Sequence, residues 1–121
     1  MSKKIMVVDD SSTVRMAVAA ALTEAGYSVV EAVDGRDGLD KLKADRVNLI
    51  ISDVNMPNMD GIAMIKEVKE LPNYKFTPVI MLTTESGQKV KDMGKEAGVK
   101  AWMVKPFKPD QMVQAVKTLL I

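Results

Sequence analysis

The sequence predicts an α/β fold, a (βα)5 chain folded as a three-layer, doubly wound sandwich around a five-stranded parallel sheet. Five short apolar runs rich in β-branched residues recur at regular intervals, at 5–8, 28–32, 47–52, 78–82 and 100–104. Helix-like segments with identifiable ends separate them. The runs are continuously apolar rather than alternating, as expected of strands covered on both faces, and strand-helix alternation implies right-handed crossovers between parallel strands.

The elements follow in order. The segment 13–25 sets Val14, Ala17, Val18, Ala21, Leu22 and Ala25 on one face, with Ser11 or Ser12 as N-cap and Gly26 as terminator. The segment 35–44 carries Leu39 and Leu42, and 61–71 carries Ile62, Ile65 and Val68 and stops before Pro72. A fourth helix is predicted over 86–97, with Val90, Met93 and Ala97 at helical spacing. Pro109 sits at the favoured first-turn position of a last helix bearing Met112, Val116 and Leu119.

At 121 residues the chain is long enough for one domain with its own core, and 47% apolar and 27% charged residues are values of a folded protein. The net charge of +1 lacks the basic footprint of nucleic-acid binding. Cysteine and histidine are both absent, which removes disulfides, thiolate and imidazole metal sites and any Ser-His triad. No signal-like or membrane-spanning apolar stretch is present, so a cytoplasmic protein is expected. The ten methionines are scattered over strands and apolar helix faces, which reads as core packing, while Met56 and Met59 flank a strand-end loop.

Chemistry is expected at the carboxyl ends of the strands, where open α/β sheets bind ligands. The first strand ends in Asp9 and Asp10, the third in Asp53, the fourth in Thr83 and the fifth in Lys105. Burying an isolated carboxylate after the apolar run Leu49, Ile50 and Ile51 costs several kcal/mol, so Asp53 needs a reason to be there. Two unit charges ~4 Å apart repel by about 4 kcal/mol at an effective dielectric near 20, so clustered carboxylates need a cation to stay ionised. Oxygen donors without nitrogen or sulfur favour Mg²⁺. A divalent ion beside Asp53 and an ammonium from Lys105 would receive an anionic phosphoryl group, with a carboxylate as nucleophile.

The stretches "VVDDSSTVR", "ISDVNMPNMDG", "MLTTES" and "WMVKPF", in this order and spacing, resemble the receiver domain of two-component response regulators, most closely the stand-alone chemotaxis type. The likeness covers essentially the whole chain, read as one receiver domain over 1–121 with no effector domain. It implies the flavodoxin-like strand order 2-1-3-4-5. It also implies a phosphoryl acceptor at Asp53, fed by a chemotaxis-type sensor histidine kinase or slowly by acetyl phosphate. Mg²⁺ would be bound by Asp10 and Asp53 and by the Asn55 backbone carbonyl, with Asp9 acting through water. Lys105, in a cis bond to Pro106, would neutralise phosphoryl oxygens, and Thr83 and Trp102 would form the switch. Chemotaxis regulators usually carry Tyr at the Trp102 position, and the enteric protein has aromatic residues where Ser11 and Val54 stand, whereas Asn55 and Glu85 match it.

The resemblance further implies a signalling module that catalyses only its own phosphorylation and dephosphorylation. It is expected to be a monomer that contacts neither nucleic acid nor membrane. Its target, with the flagellar motor switch as first candidate, would meet the fourth helix, fifth strand and fifth helix. Gly94, inside that fourth helix, is expected to keep it mobile, and Lys89, Lys91, Lys95, Lys100 and Lys108 around it point to an acidic partner. The alternative is an aspartyl-phosphate phosphatase of the haloacid-dehalogenase type, whose nucleophile follows the first strand as Asp-x-Asp; here Asp9 and Asp10 are adjacent. A flavin-binding flavodoxin relative is excluded because those two carboxylates would repel the phosphate.

Overall fold

The computed structural model describes residues 3–54, 56, 58–83, 92 and 95–120. The elements with described bounds are β1 (Lys4–Val8), α1 (Ser12–Glu24), β2 (Ser28–Ala32), α2 (Gly35–Ala44), β3 (Leu49–Ser52), α3 (Gly61–Val68), β4 (Val79–Thr83), β5 (Ala101–Val104) and α4 (Pro109–Leu119). Of the helix predicted over 86–97, Asp92 and residues 95–97 are described and are helical, so α4 is the fifth helix of the sequence pattern. Gly94, Lys89 and Lys91 lie outside the described residues.

The sheet runs in the order β2-β1-β3-β4-β5, and every strand pair is parallel. Alternate residues of each strand point to opposite faces, and the core divides accordingly. Met6, Val8, Ile50, Val79 and Met81 pack with Leu39, Leu42, Met64, Ile65 and Val68, so α2 and α3 cover one face. Ile5, Val7, Leu49, Ile51, Ile80 and Leu82 pack with Val18, Leu22, Met112 and Val116, so α1 and α4 cover the other. The three layers follow from this division. Burial on both faces holds for β1, β3 and β4, but β2 and β5 are edge strands and only partly buried.

Local signals explain most boundaries. Ser11 is the N-cap of α1 and its hydroxyl accepts from Val14 N, while Gly26 follows the helix at φ +99°, a conformation other residues adopt only with strain. The third helix ends at Val68, short of the predicted Leu71. Glu70 N and Leu71 N donate to Glu67 O and Val68 O, so the chain tightens into three-residue turns before Pro72. Lys105–Pro106 is cis. No helix among the described residues is long and apolar enough to cross a membrane.

Candidate phosphoryl-acceptor site

Register places the acids. Val8 is paired with Ala32 on one side and Ser52 on the other, so β1, β2 and β3 end level with one another. The ladder continues one step further: Asp53 N donates to Val8 O at 2.9 Å, and Asp9 N to Ala32 O at 3.1 Å. Asp9 and Asp53 therefore leave the sheet side by side, both buried. Asp9 Oδ1 accepts from Ser11 N at 2.9 Å, and Arg15 Nη1 donates to the Asp9 carbonyl at 2.6 Å, which fixes the turn carrying Asp9 and Asp10 into α1. Arg15 is steadied from behind by Glu31 of β2, at 3.3 Å.

Asp9, Asp10 and Asp53 bring one carboxylate oxygen each within 4.8 Å of one another, with Asp10 on the exposed side. Lys105, just past the end of β5, reaches across the crevice. Its Nζ lies 2.9 Å from Asp9 Oδ2 and 3.1 Å from Asp53 Oδ2. The other oxygen of Asp53 accepts from Val54 N at 2.8 Å. Burial, and then the charge of Asp9, push the Asp53 carboxyl above the usual aspartate range against the pull of Lys105. For Lys105 burial works downward, but its hydrogen bonds to Asp9 and Asp53 outweigh it and raise the ammonium above the usual lysine range. One ammonium between two carboxylates, beside a third, leaves a net negative crevice in which cation binding would relieve repulsion. An all-carboxylate oxygen set at this spacing fits a hard divalent cation such as Mg²⁺.

The structure thus brings together Asp9, Asp10, Asp53 and Lys105. Thr83 ends β4, paired with Val104, but its side chain lies outside the described residues, as do Asn55 and Glu85. Trp102 is partly buried against the α2/α3-side core and, with Lys95, Val99, Lys100 and Ala101, lines a cavity of about 110 Å³. Met56 and Met59, after Asp53, also pack onto that core.

The sequence pattern of the response regulator receiver domain matches residues 5–117. The chain belongs to this receiver family. Chemotaxis protein CheY1 of Helicobacter pylori is 38% identical over 119 residues, which cover 97% of this chain and 96% of that protein. A chemotaxis protein CheY homolog of Campylobacter jejuni is 39% identical over 119 residues, covering 97% and 92% respectively. The crystal structure of Vibrio cholerae chemotaxis protein CheY4 superposes with a TM-score of 0.96 at 43% identity, covering 99% of this chain and 100% of that one. This receiver is of the CheY type, and the haloacid-dehalogenase alternative finds no support. Its central buried acid, Asp53, follows the third strand of the sheet, not the first.

Sequence reasoning passed over three receiver residues near the acids. Arg15 stands inside the quoted "VVDDSSTVR", and its place one helical turn after the acid pair was the available signal. Asp34 and Asn58 are joined by a hydrogen bond across 24 positions, which no local pattern announces.

Proposed function

We propose that this receiver works as a single-domain chemotaxis response regulator whose Asp53 accepts a phosphoryl group and thereby switches a protein-binding face. The observation that carries this is Lys105 Nζ lying within 3.1 Å of both Asp9 and Asp53 while the Asp10 carboxylate lies in the same cluster. The near-complete coverage of the two CheY relatives in both directions supports the single-domain reading over 1–121.

Asp10 and Asp53, with the Asn55 carbonyl, would hold Mg²⁺, and Asp9 would act through water. The ion, when bound, supplies charge neutralisation at the phosphoryl oxygens. An Asp53 carboxylate oxygen attacks phosphorus, the bond to the donor's imidazole nitrogen or acetyl oxygen breaks, and the leaving group departs with that electron pair. Lys105, already paired to Asp53, pairs with the incoming oxygens. Thr83 and Trp102 act in the switch, and hydrolysis of the acyl phosphate at the same site resets it. The donor is a chemotaxis-type histidine kinase. The target, a component such as the flagellar motor switch, meets the face formed by the 86–97 segment, β5 and α4 of a cytoplasmic monomer.

Incubation with acetyl phosphate and Mg²⁺ should add one phosphoryl group at Asp53, seen by mass spectrometry after borohydride trapping. Chelation or Asp53→Asn should abolish it. Labelling at another residue, or steady turnover of added phosphomonoesters, would overturn the assignment.

A further inference from the structure

The loop that carries the chain from Asp53 to α3 is closed at its base, where Gly61 N donates to Val54 O at 2.8 Å. Its far side is fastened to a different element. Asn58, in the left-handed region at φ +67°, donates from Nδ2 to Asp34 Oδ2 at 2.8 Å. Asp34 is the N-cap of α2, and its Oδ1 accepts from Asp37 N, also at 2.8 Å. Asp37 in turn accepts from Val33 N at 2.9 Å, so the start of α2 is held from both sides. Met59 closes the contact: a Cβ on Gly35 would lie 2.8 Å from both Met59 Cγ and Met59 O, so the loop rests on the first turn of α2.

The anchor is itself well placed. Asp34 follows Ala32, the β2 residue whose carbonyl accepts from Asp9 N, so it is registered to the acid cluster through the sheet. Asp34 is buried, and the Asp37 amide first and the Asn58 amide second hold its carboxyl below the usual aspartate range, the sign of a carboxylate whose oxygens are both engaged. A flexible loop next to a reacting carboxylate would otherwise sample many positions, and small misplacements of a reacting group are expensive in rate.

We propose that Asp34 and Asn58 are a positioning pair, in which the capping carboxylate of α2 holds the tip of the acceptor loop and so sets the geometry in which Asp53 reacts. The proposal rests on Asp53 being the acceptor. It makes the start of α2 a working part of the site although it touches no phosphoryl group.

The test uses Asn58→Gly, which keeps the positive φ accessible and removes the whole side chain with its amide; Asn58→Asp, which sets two carboxylates against each other; and the exchange Asp34→Asn/Asn58→Asp. The exchange restores the bond with donor and acceptor reversed, and asparagine is an adequate N-cap. At saturating Mg²⁺, the acetyl-phosphate labelling rate should fall on the order of ten-fold in Asn58→Gly, within the range that misplacement produces, and further in Asn58→Asp. The exchange should return it to within about two-fold of the parent, a recovery that a hydrogen bond of equal geometry predicts. A change in melting temperature with labelling rates unaltered would reduce the pair to a fold contact and overturn the proposal, as would failure of the exchange to rescue. Parent-like labelling in all variants sinks this pair alone, whereas absence of labelling in the parent sinks the acceptor reading.

Discussion

A Cβ on Gly61 would stand 1.9 Å from the carbonyl oxygen of Asp53 and 3.0 Å from Ser52 Oγ, so the first turn of α3 presses directly on the backbone of Asp53. The approach to Asp53 is to backbone atoms and cannot be relieved by a rotamer change. Gly61→Ala is expected to destabilise the protein by more than the ~1–3 kcal/mol usual for overpacking, read as a lowered urea midpoint. Because the displaced atom belongs to Asp53, the acetyl-phosphate labelling rate should fall as well in protein that remains folded.

Lys105 separates two buried acids, and Lys105→Met leaves them facing each other. The metal-free variant should lose about 2 kcal/mol, less than the ~3–5 of a fully buried pair because Lys105 keeps some exposure and Asp53 can take up a proton. The folded-state pKa of Lys105 is raised, so its contribution is complete below the unfolded value near 10.4 and is lost as pH rises through the folded value. The stability difference between parent and variant should therefore shrink in the alkaline limb of a pH series of denaturant melts, as Lys105 loses its proton, and also in the acid limb, as Asp53 takes one up.

Asp53 has the same sign of shift with the opposite consequence for charge. Its folded pKa is raised, so its contribution to stability is full below the unfolded value near 3.9 and is lost as pH rises through the folded value. In chelator, Asp53→Asn should melt at a higher temperature than the parent at neutral pH, and the gain should vanish as pH falls below about 4. Added Mg²⁺ should raise the melting temperature of the parent and do so much less in the variant, since one of the clustered carboxylates is gone.

Asp53, Lys105, Asp9 and Asp10 could be placed from the chain alone because each stands at the end of an apolar run, and a parallel sheet gathers such ends. The same logic located the helices whose caps are local: Ser11, Gly26 and Pro109 act within a few positions of themselves. What escaped is contact between distant loops. Asn58 reaches Asp34, Tyr74 reaches Leu42 and Asp45, and Lys4 Nζ reaches Asp45 at 2.6 Å over 41 positions, and each depends on layers already being stacked. The edge character of β2 and β5 is not written in the apolar runs themselves and follows only from the strand order that the resemblance implies, which leaves their outer sides unpaired. The early end of α3 reflects a competition at Glu70 and Leu71, where tight turns replace the last helical turn.

Tyr74 offers a control at the other pole of the sheet. Its ring is buried, and its hydroxyl lies 2.8 Å from Leu42 O and 2.6 Å from Asp45 O, at the carboxyl end of α2 and ahead of β3. It donates to those carbonyls and so ties the segment before β4 to the segment before β3, on the amino side of the strands, away from the acids. Tyr74→Phe keeps the ring and removes the donor, leaving carbonyls short of a partner, so a loss of about 1 kcal/mol is expected in denaturant melts. Labelling of Asp53 at saturating Mg²⁺ should stay within about two-fold of the parent, since that pole makes no hydrogen bond to the acid cluster among the described residues and distant sites act independently. A ten-fold fall in labelling with that modest loss of stability would mean that the two ends of the sheet are coupled, and that the geometry at Asp53 is set through the strands as well as by its own loops.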